Sequence, residues 1–192
     1  EKGDPFRGDT ISSFEERTRA YLKIQDGCDG ACTYCAIKNA RGCSVSRDED
    51  EILCEVKNLV NEGFCEFVLT GIETSSYKNL PSLIKKVSEI GGVQRIRLGS
   101  LDPSCLTEKF VERIKDLEKL APHFHISMQS GSSNTLRNMK RKYNADQALA
   151  NMQRLRDAMP AVRYTTDIIV GFPGETYEDF CETLSLVKQV GY

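Results

Sequence analysis

Apolar and polar residues alternate along this chain in two periods. Leu22 and Ile24 oppose Lys23 and Gln25, Ile96 and Leu98 oppose Arg95 and Arg97, and Phe124, Ile126 and Met128 oppose His123, His125, Ser127 and Gln129. A period of two with one apolar face predicts half-buried strands. The pattern places them at residues 20–25, 66–70, 95–100, 123–129 and 163–170. Between them a period near 3.6 takes over. Ser46 with Glu49 reads as a capping box ahead of Ile52, Val56, Leu59 and Val60, with Gly63 at the stop. Pro81 suits a first helical turn before Leu83, Ile84, Val87 and Ile90, closed by Gly91 and Gly92. Thr107 precedes Phe110, Val111 and Ile114; Asn144 with Gln147 precedes Ala148, Met152 and Leu155; Thr176 with Asp179 opens a last helix through Phe180, Leu184 and Val187.

Successive strand–helix units imply a parallel sheet covered by helices. A doubly wound sheet buries both faces of its strands, and a closed eightfold barrel packs its lumen with branched apolar side chains. The polar strand faces fit neither. The expected fold is α/β: a partial (β/α)6-type, TIM-like barrel with an open polar lumen, truncated before the sixth strand because the pattern leaves off at Tyr192. Residues 1–19, charged and aperiodic, are expected to form a linker or arm from a missing N-terminal domain. Residues 20–192 form the core domain, incomplete at its C-terminal end.

Composition adds limits. The formal net charge of −2 points to no broad polyanion-binding surface, so any nucleic-acid contact is local or made elsewhere. Apolar stretches such as residues 168–172 are far too short for a membrane span, and no signal-peptide pattern opens the chain. A cytoplasmic protein with no membrane partner is expected. Eight cysteines sit in a chain with strong helix and strand signals, which argues for a metal or cluster site rather than a disulfide framework.

Three of those cysteines, Cys28, Cys32 and Cys35, follow the first strand directly. Gly27 and Gly30 allow the loop to turn tightly around a bound object. Three thiolates reach three corners of an iron–sulfur cubane and leave the fourth iron open for chemistry. Two other readings remain: a structural zinc site with Cys43 as fourth ligand, and a redox pair of Cys32 and Cys35. Cys43, Cys54, Cys65, Cys105 and Cys181 read as ordinary small residues. His123 and His125 read as hydrogen-bonded lumen residues, and Lys140-Arg141-Lys142 as either a solvated helix end or an anion contact.

The C-x3-C-x2-C spacing with Tyr34 before the last cysteine resembles the signature of the radical S-adenosylmethionine enzymes. The resemblance implies a partial barrel and a [4Fe–4S] cluster on Cys28, Cys32 and Cys35, whose free iron chelates S-adenosylmethionine. Reductive cleavage of the carbon–sulfur bond then yields a 5′-deoxyadenosyl radical. Residues 69–73 resemble the Gly-Gly-Glu-like segment that receives the methionine amino group, which implicates Gly71, Ile72 and Glu73. Residues 166–175 look like the adenine-contacting stretch, which implicates Asp167, Ile169, Gly171 and Phe172. Gln129 is expected on the ribose or the methionine part, with Tyr34, Ser100 and Arg141 completing the cofactor-binding set. Gly71, Gly171 and Glu175 also have the plainer reading of βα turns and helix support.

Residues 22–28, 40–42, 129–132, 139–143 and 166–175 together resemble the methylthiotransferases, although Lys38 and Asn39 stand where that family has a proline. Residues 69–72 and 95–103 look closest to the branch acting on threonylcarbamoyladenosine of tRNA. Isopentenyladenosine of tRNA and a ribosomal-protein aspartate are the alternative substrates. The resemblance further implies tRNA as partner, an electron donor such as flavodoxin or ferredoxin, and a second [4Fe–4S] cluster in a missing N-terminal domain. By itself the core is expected to bind S-adenosylmethionine without completing methylthiolation.

Overall fold

The computed structural model describes residues 18–192, so the arm expected at residues 1–19 lies almost wholly outside the described residues. The elements run β1 (Ala20–Asp26), α1 (Ile37–Arg41), β2 (Val45–Ser46), α2 (Glu49–Asn61), β3 (Glu66–Gly71), α3 (Leu80–Glu89), β4 (Arg95–Leu98), α4 (Glu108–Ile114), β5 (His123–Gln129), α5 (Ser133–Asn138), α6 (Ala145–Ala158), β6 (Arg163–Ile168) and α7 (Tyr177–Val190). Single 3-10 turns occupy Thr74–Ser76 and Pro103–Cys105.

The strands β1, β3 and β4 pair in parallel, as do β5 and β6. Parallel bridges from Ile96 to Leu120 and from Leu101 to Ile126 join the two groups into one curved sheet. Among the described residues the barrel does not close: β6 pairs only with β5, and short antiparallel β2 flanks β1. The expected α/β partial barrel with a parallel sheet is therefore observed.

Alternation explains which way each strand faces. Leu22, Ile24, Phe67, Leu69, Ile96, Phe124 and Ile126 are buried against the helices, where Ile52, Val56, Leu83, Ile84, Met152 and Leu155 meet them. The inner face is polar. Arg97, His123 and His125 are half-buried there, and Thr165 and Asp167 are exposed.

Several boundaries differ from the sequence pattern. The cap of α2 is Asp48, whose carboxylate accepts from the backbone N–H groups of Asp50 and Glu51 at 3.0 and 3.1 Å. Ser46 belongs to β2, and its hydroxyl accepts from Lys78 N at 2.9 Å. A carboxylate two residues closer to the apolar stripe outcompetes the hydroxyl for the open N–H groups. The caps at Thr107, Asn144 and Thr176 form as expected, the last two as full capping boxes. Strand β4 stops at Leu98 and β6 at Ile168, each about two residues early. Helix α7 buries Asp179, Thr183, Leu186 and Val190, leaving Leu184 exposed. Its inward face is half polar because it docks on backbone and hydroxyl groups, so apolar periodicity misassigned it. Helices α1 and α5 and strand β2 are too short for periodicity to reveal.

Candidate active site

Gln25, fully buried at the end of β1, organises the strand ends. Its Nε2 donates to Asp26 O and Gly27 O, both at 2.8 Å, and to Ser44 Oγ at 2.9 Å. Its Oε1 accepts from Glu73 N at 2.8 Å. One amide thus joins the start of the cysteine loop, the turn before β2 and the loop after β3. Gly71 makes room for it, since a Cβ there would lie 2.8 Å from Gln25 Oε1. Asp26 adds a second anchor. Burial opposes its charge, but Lys23 at 2.8 Å, the Gly27 N–H and Arg41 at 3.5 Å hold its carboxyl below the usual range.

The cysteine loop is pinned on two sides. Cys28 N donates to Gly42 O at 3.1 Å and Ser44 N to Asp29 Oδ1 at 3.2 Å. Across the loop, Thr33 donates through N to Met139 O at 3.2 Å and through Oγ1 to Asn138 O at 3.1 Å. The thiols of Cys28 and Cys32 lie 3.1 and 3.7 Å from the position that a Cβ on Gly30 would occupy. Cys28 Sγ also accepts from Gly30 N at 3.2 Å, while burial pushes its thiol up in pKa.

A cavity of about 500 Å³ opens at these strand ends, a size that suits a small-molecule ligand. Its lining includes Cys28, Cys32, Cys35 and Tyr34 of the cysteine loop, together with Ile72, Glu73, Asp102, Ser127, Gln129 and Arg141. Glu73 donors and neighbours bias it: burial raises its carboxyl, Ser75 opposes this, and Asp102 adds to it. Burial likewise pushes the Tyr34 hydroxyl up to about 12, against the pull of Arg141. Gln129 adopts a left-handed φ of 68° at the cavity wall, a conformation costly for a residue with a Cβ.

The structure thus brings together Cys28, Cys32, Cys35, Tyr34, Ile72, Glu73, Gln129 and Arg141. Gly71, Ser100, Asp167, Ile169, Gly171 and Phe172 do not line the cavity. Gly71 serves Gln25, and Ser100 is exposed. Asp167 sits 3.3 Å from His125 on the inner face, and Ile169 N donates to Gln129 O at 2.9 Å. Glu175 accepts from the N–H groups of Gly171 and Phe172, a loop staple rather than helix support alone. Phe172 stands edge-on behind Tyr34, with ring centroids 6.5 Å apart.

Gln25 and Tyr143 escaped sequence reasoning. The alternation put Gln25 on a polar face, and nothing local marks a buried amide that bonds four partners. Cys105 joins the cavity lining, although it reads as an ordinary residue; burial first, then Asp102 and Glu73, keeps it a protonated thiol. Cys43 is exposed and does not line the cavity. All eight cysteines are free thiols. No helix of the described residues is long and apolar enough to cross a membrane.

Threonylcarbamoyladenosine tRNA methylthiotransferase MtaB of Chlamydia pneumoniae is 41% identical over 186 residues, covering 95% of this chain and 44% of that protein. The tRNA-2-methylthio-N(6)-dimethylallyladenosine synthase of Clostridium tetani is 43% identical over 182 residues, covering 91% and 40%. The chain therefore spans less than half the length of these curated relatives. Among solved structures, the radical S-adenosylmethionine methyltransferase TsrM of Kitasatospora setae, with cobalamin and a [4Fe-4S] cluster bound, superposes with a TM-score of 0.75 at 16% identity, over 90% of this chain and 34% of that one. The family model described as "Radical SAM superfamily" matches residues 22–187, most of the chain, on the fold and cysteine loop described above. This chain belongs to the radical SAM superfamily.

Proposed function

We propose that this chain is the catalytic core of a tRNA methylthiotransferase, with a [4Fe–4S] cluster on Cys28, Cys32 and Cys35 and S-adenosylmethionine in the adjoining cavity. The carrying observation is that three thiols border one cavity whose lining also includes the Glu73 carboxyl, the Gln129 amide and the Arg141 guanidinium. The donor set fits the cluster. All three thiols border one cavity, and those of Cys28 and Cys32 flank Gly30. Cys43, needed as a fourth zinc ligand, stands outside the cavity.

When bound, the cluster supplies the electron that breaks a carbon–sulfur bond of S-adenosylmethionine. The chain's own residues do the rest. Glu73, whose carboxyl is pushed up by burial, gains a counter-charge when an ammonium enters, and that favours its ionised form. Gln129 offers an amide to the polar part of the ligand, and Tyr34, in edge contact with Phe172, lines the cavity beside the cysteines.

Threonylcarbamoyladenosine of tRNA is the substrate we propose, with ferredoxin or flavodoxin as electron donor and the reducing cytoplasm as setting. Identity to named relatives is nearly equal for this branch and the dimethylallyl branch, 41% against 43%. The polar inner face, with Arg97, His123 and His125, suits the carboxylate-bearing threonyl arm better than an apolar isoprenoid. The second reading is the dimethylallyl substrate, supported by the Clostridium tetani relative. The complete reaction also needs sulfur delivery from parts of a longer protein.

Anaerobic reconstitution with iron and sulfide should give a brown protein with about four irons per chain. Cys32→Ala should lose both the colour and reductive cleavage of S-adenosylmethionine. Four irons retained in that variant would sink the assignment. Mass analysis of tRNA treated with a longer protein carrying this core separates the two adenosine products. This chain alone should yield neither.

A further inference from the structure

Arg141 is the most heavily bonded charge in the cavity wall, yet none of its bonds faces the open space. Its Nε donates to Tyr143 Oη at 3.0 Å. Its Nη2 donates to Asp102 Oδ2 at 2.7 Å and to Ser127 O at 3.0 Å. Its Nη1 donates to Cys32 Sγ and Tyr34 Oη, both at 3.5 Å. A guanidinium carries five N–H donors, and here each has an acceptor inside the protein. None is left over for an incoming anion.

The pair is preorganised from both sides. Asp102 uses its other oxygen, Oδ1, to accept from Ser104 N at 2.8 Å and Ser104 Oγ at 2.5 Å, which leaves Oδ2 aimed at Arg141. Tyr143 donates to Met128 O at 2.9 Å while it accepts from Arg141. Lys140, in a left-handed conformation with φ of 58°, turns the chain so that Arg141 enters the wall. The Arg141 side chain is 8% exposed and that of Asp102 19%. Burial works against the guanidinium charge, but Tyr143 and Asp102 outweigh it and keep Arg141 charged. A largely buried ion pair is a costly arrangement for stability alone. Its position shows a use for it: the cation lies on the cysteine side, the anion on the far side.

We propose that the Arg141–Asp102 pair sets the electron affinity of the iron–sulfur centre, acting through Cys32 as a pair of positioning residues. The proposal rests on the cluster reading above. One-electron reduction by an external donor adds a negative charge to the cluster and its thiolates and moves no other atom. A cationic hydrogen-bond donor beside one of those sulfurs favours the reduced form, and a carboxylate behind the donor damps the effect. Removing each member therefore shifts the potential in opposite directions. Arg141→Met leaves Asp102 unbalanced and lowers the reduction potential. Asp102→Asn, nearly isosteric, leaves the guanidinium unopposed and raises it. The double variant returns toward the wild-type value, because each change removes the charge that the other leaves exposed. Arg141→Lys keeps the charge with fewer donors and shifts the potential less than Arg141→Met.

The test is a redox titration of the reconstituted chain with dithionite and mediators, without S-adenosylmethionine, followed by electron paramagnetic resonance and paired with iron analysis. Opposite shifts at unchanged iron content support the proposal. If Arg141→Met fails to hold iron, Asp102→Asn and Arg141→Lys still decide by direction. Unmoved potentials with iron intact, or shifts of the same sign, overturn it. So does a fall in S-adenosylmethionine affinity in Arg141→Met with the potential unmoved, which would make Arg141 a direct anion contact. Wild-type protein that takes up no cluster overturns the cluster reading itself.

Discussion

At the scale of single residues, the site depends on side chains that never reach the ligand space. Gln25 is the clearest case. Its two amide hydrogens are shared among three acceptors and its oxygen takes one bond, so the cysteine loop and the Glu73 loop keep a fixed separation. Gln25→Glu preserves volume and the bond from Glu73 N but turns a donor into an acceptor facing two carbonyls. Leaving buried acceptors unpaired costs on the order of 1–3 kcal/mol each. Urea unfolding should show a loss of at least about 2 kcal/mol, and iron uptake should fall with it. Wild-type stability in this variant would mean that the network is not maintained in solution.

At the scale of elements, residues 130–132, just after β5, dock a helix. The Ser130 and Thr183 hydroxyls share a hydrogen bond at 3.2 Å, Gly131 N donates to Thr183 Oγ1 at 3.0 Å, and Ser132 Oγ donates to Asp179 Oδ1 at 2.5 Å. A Cβ on Gly131 would lie 2.6 Å from Thr183 Cα, so α7 packs against bare backbone. The hydroxyl of Ser132 and the N–H of Thr176 hold the Asp179 carboxyl down to about 2, from an ordinary 3.8. A depressed carboxyl contributes stability that is present above its unfolded value and lost as pH falls through its folded value. The contribution is therefore complete above about pH 4 and disappears between pH 4 and pH 2. Asp179→Asn should flatten that acid limb while leaving the slope at neutral pH unchanged. An acid limb identical to wild type would show that other carboxyls govern it.

At the scale of the whole molecule, two groups of strands are joined by little backbone pairing. Leu101 carries much of that junction: it is fully buried, its N–H donates to His125 O and its carbonyl accepts from Ser127 N, both at 2.9 Å. Truncating a buried leucine costs about 2–5 kcal/mol. Leu101→Ala should lower the unfolding free energy by about 3 kcal/mol, with one cooperative transition. Two separate transitions would mean that the halves fold independently. The same junction sets the cavity, because the cysteine loop follows β1 in one group while Gln129 ends β5 in the other.

What one strand or one loop could encode locally was legible in the residues. Alternation in β4 and β5, the capping boxes of α6 and α7, and the spacing of Cys28, Cys32 and Cys35 each depend on neighbours a few positions apart. Contacts between distant segments were not. Arg141 meets Asp102 and Cys32 across 39 and 109 positions, and Gln25 meets Glu73 across 48. Such partners are chosen by where the curved sheet brings strand ends together. Residue type alone announces a charge or an amide; only the folded chain decides which sulfur, carboxylate or N–H it faces.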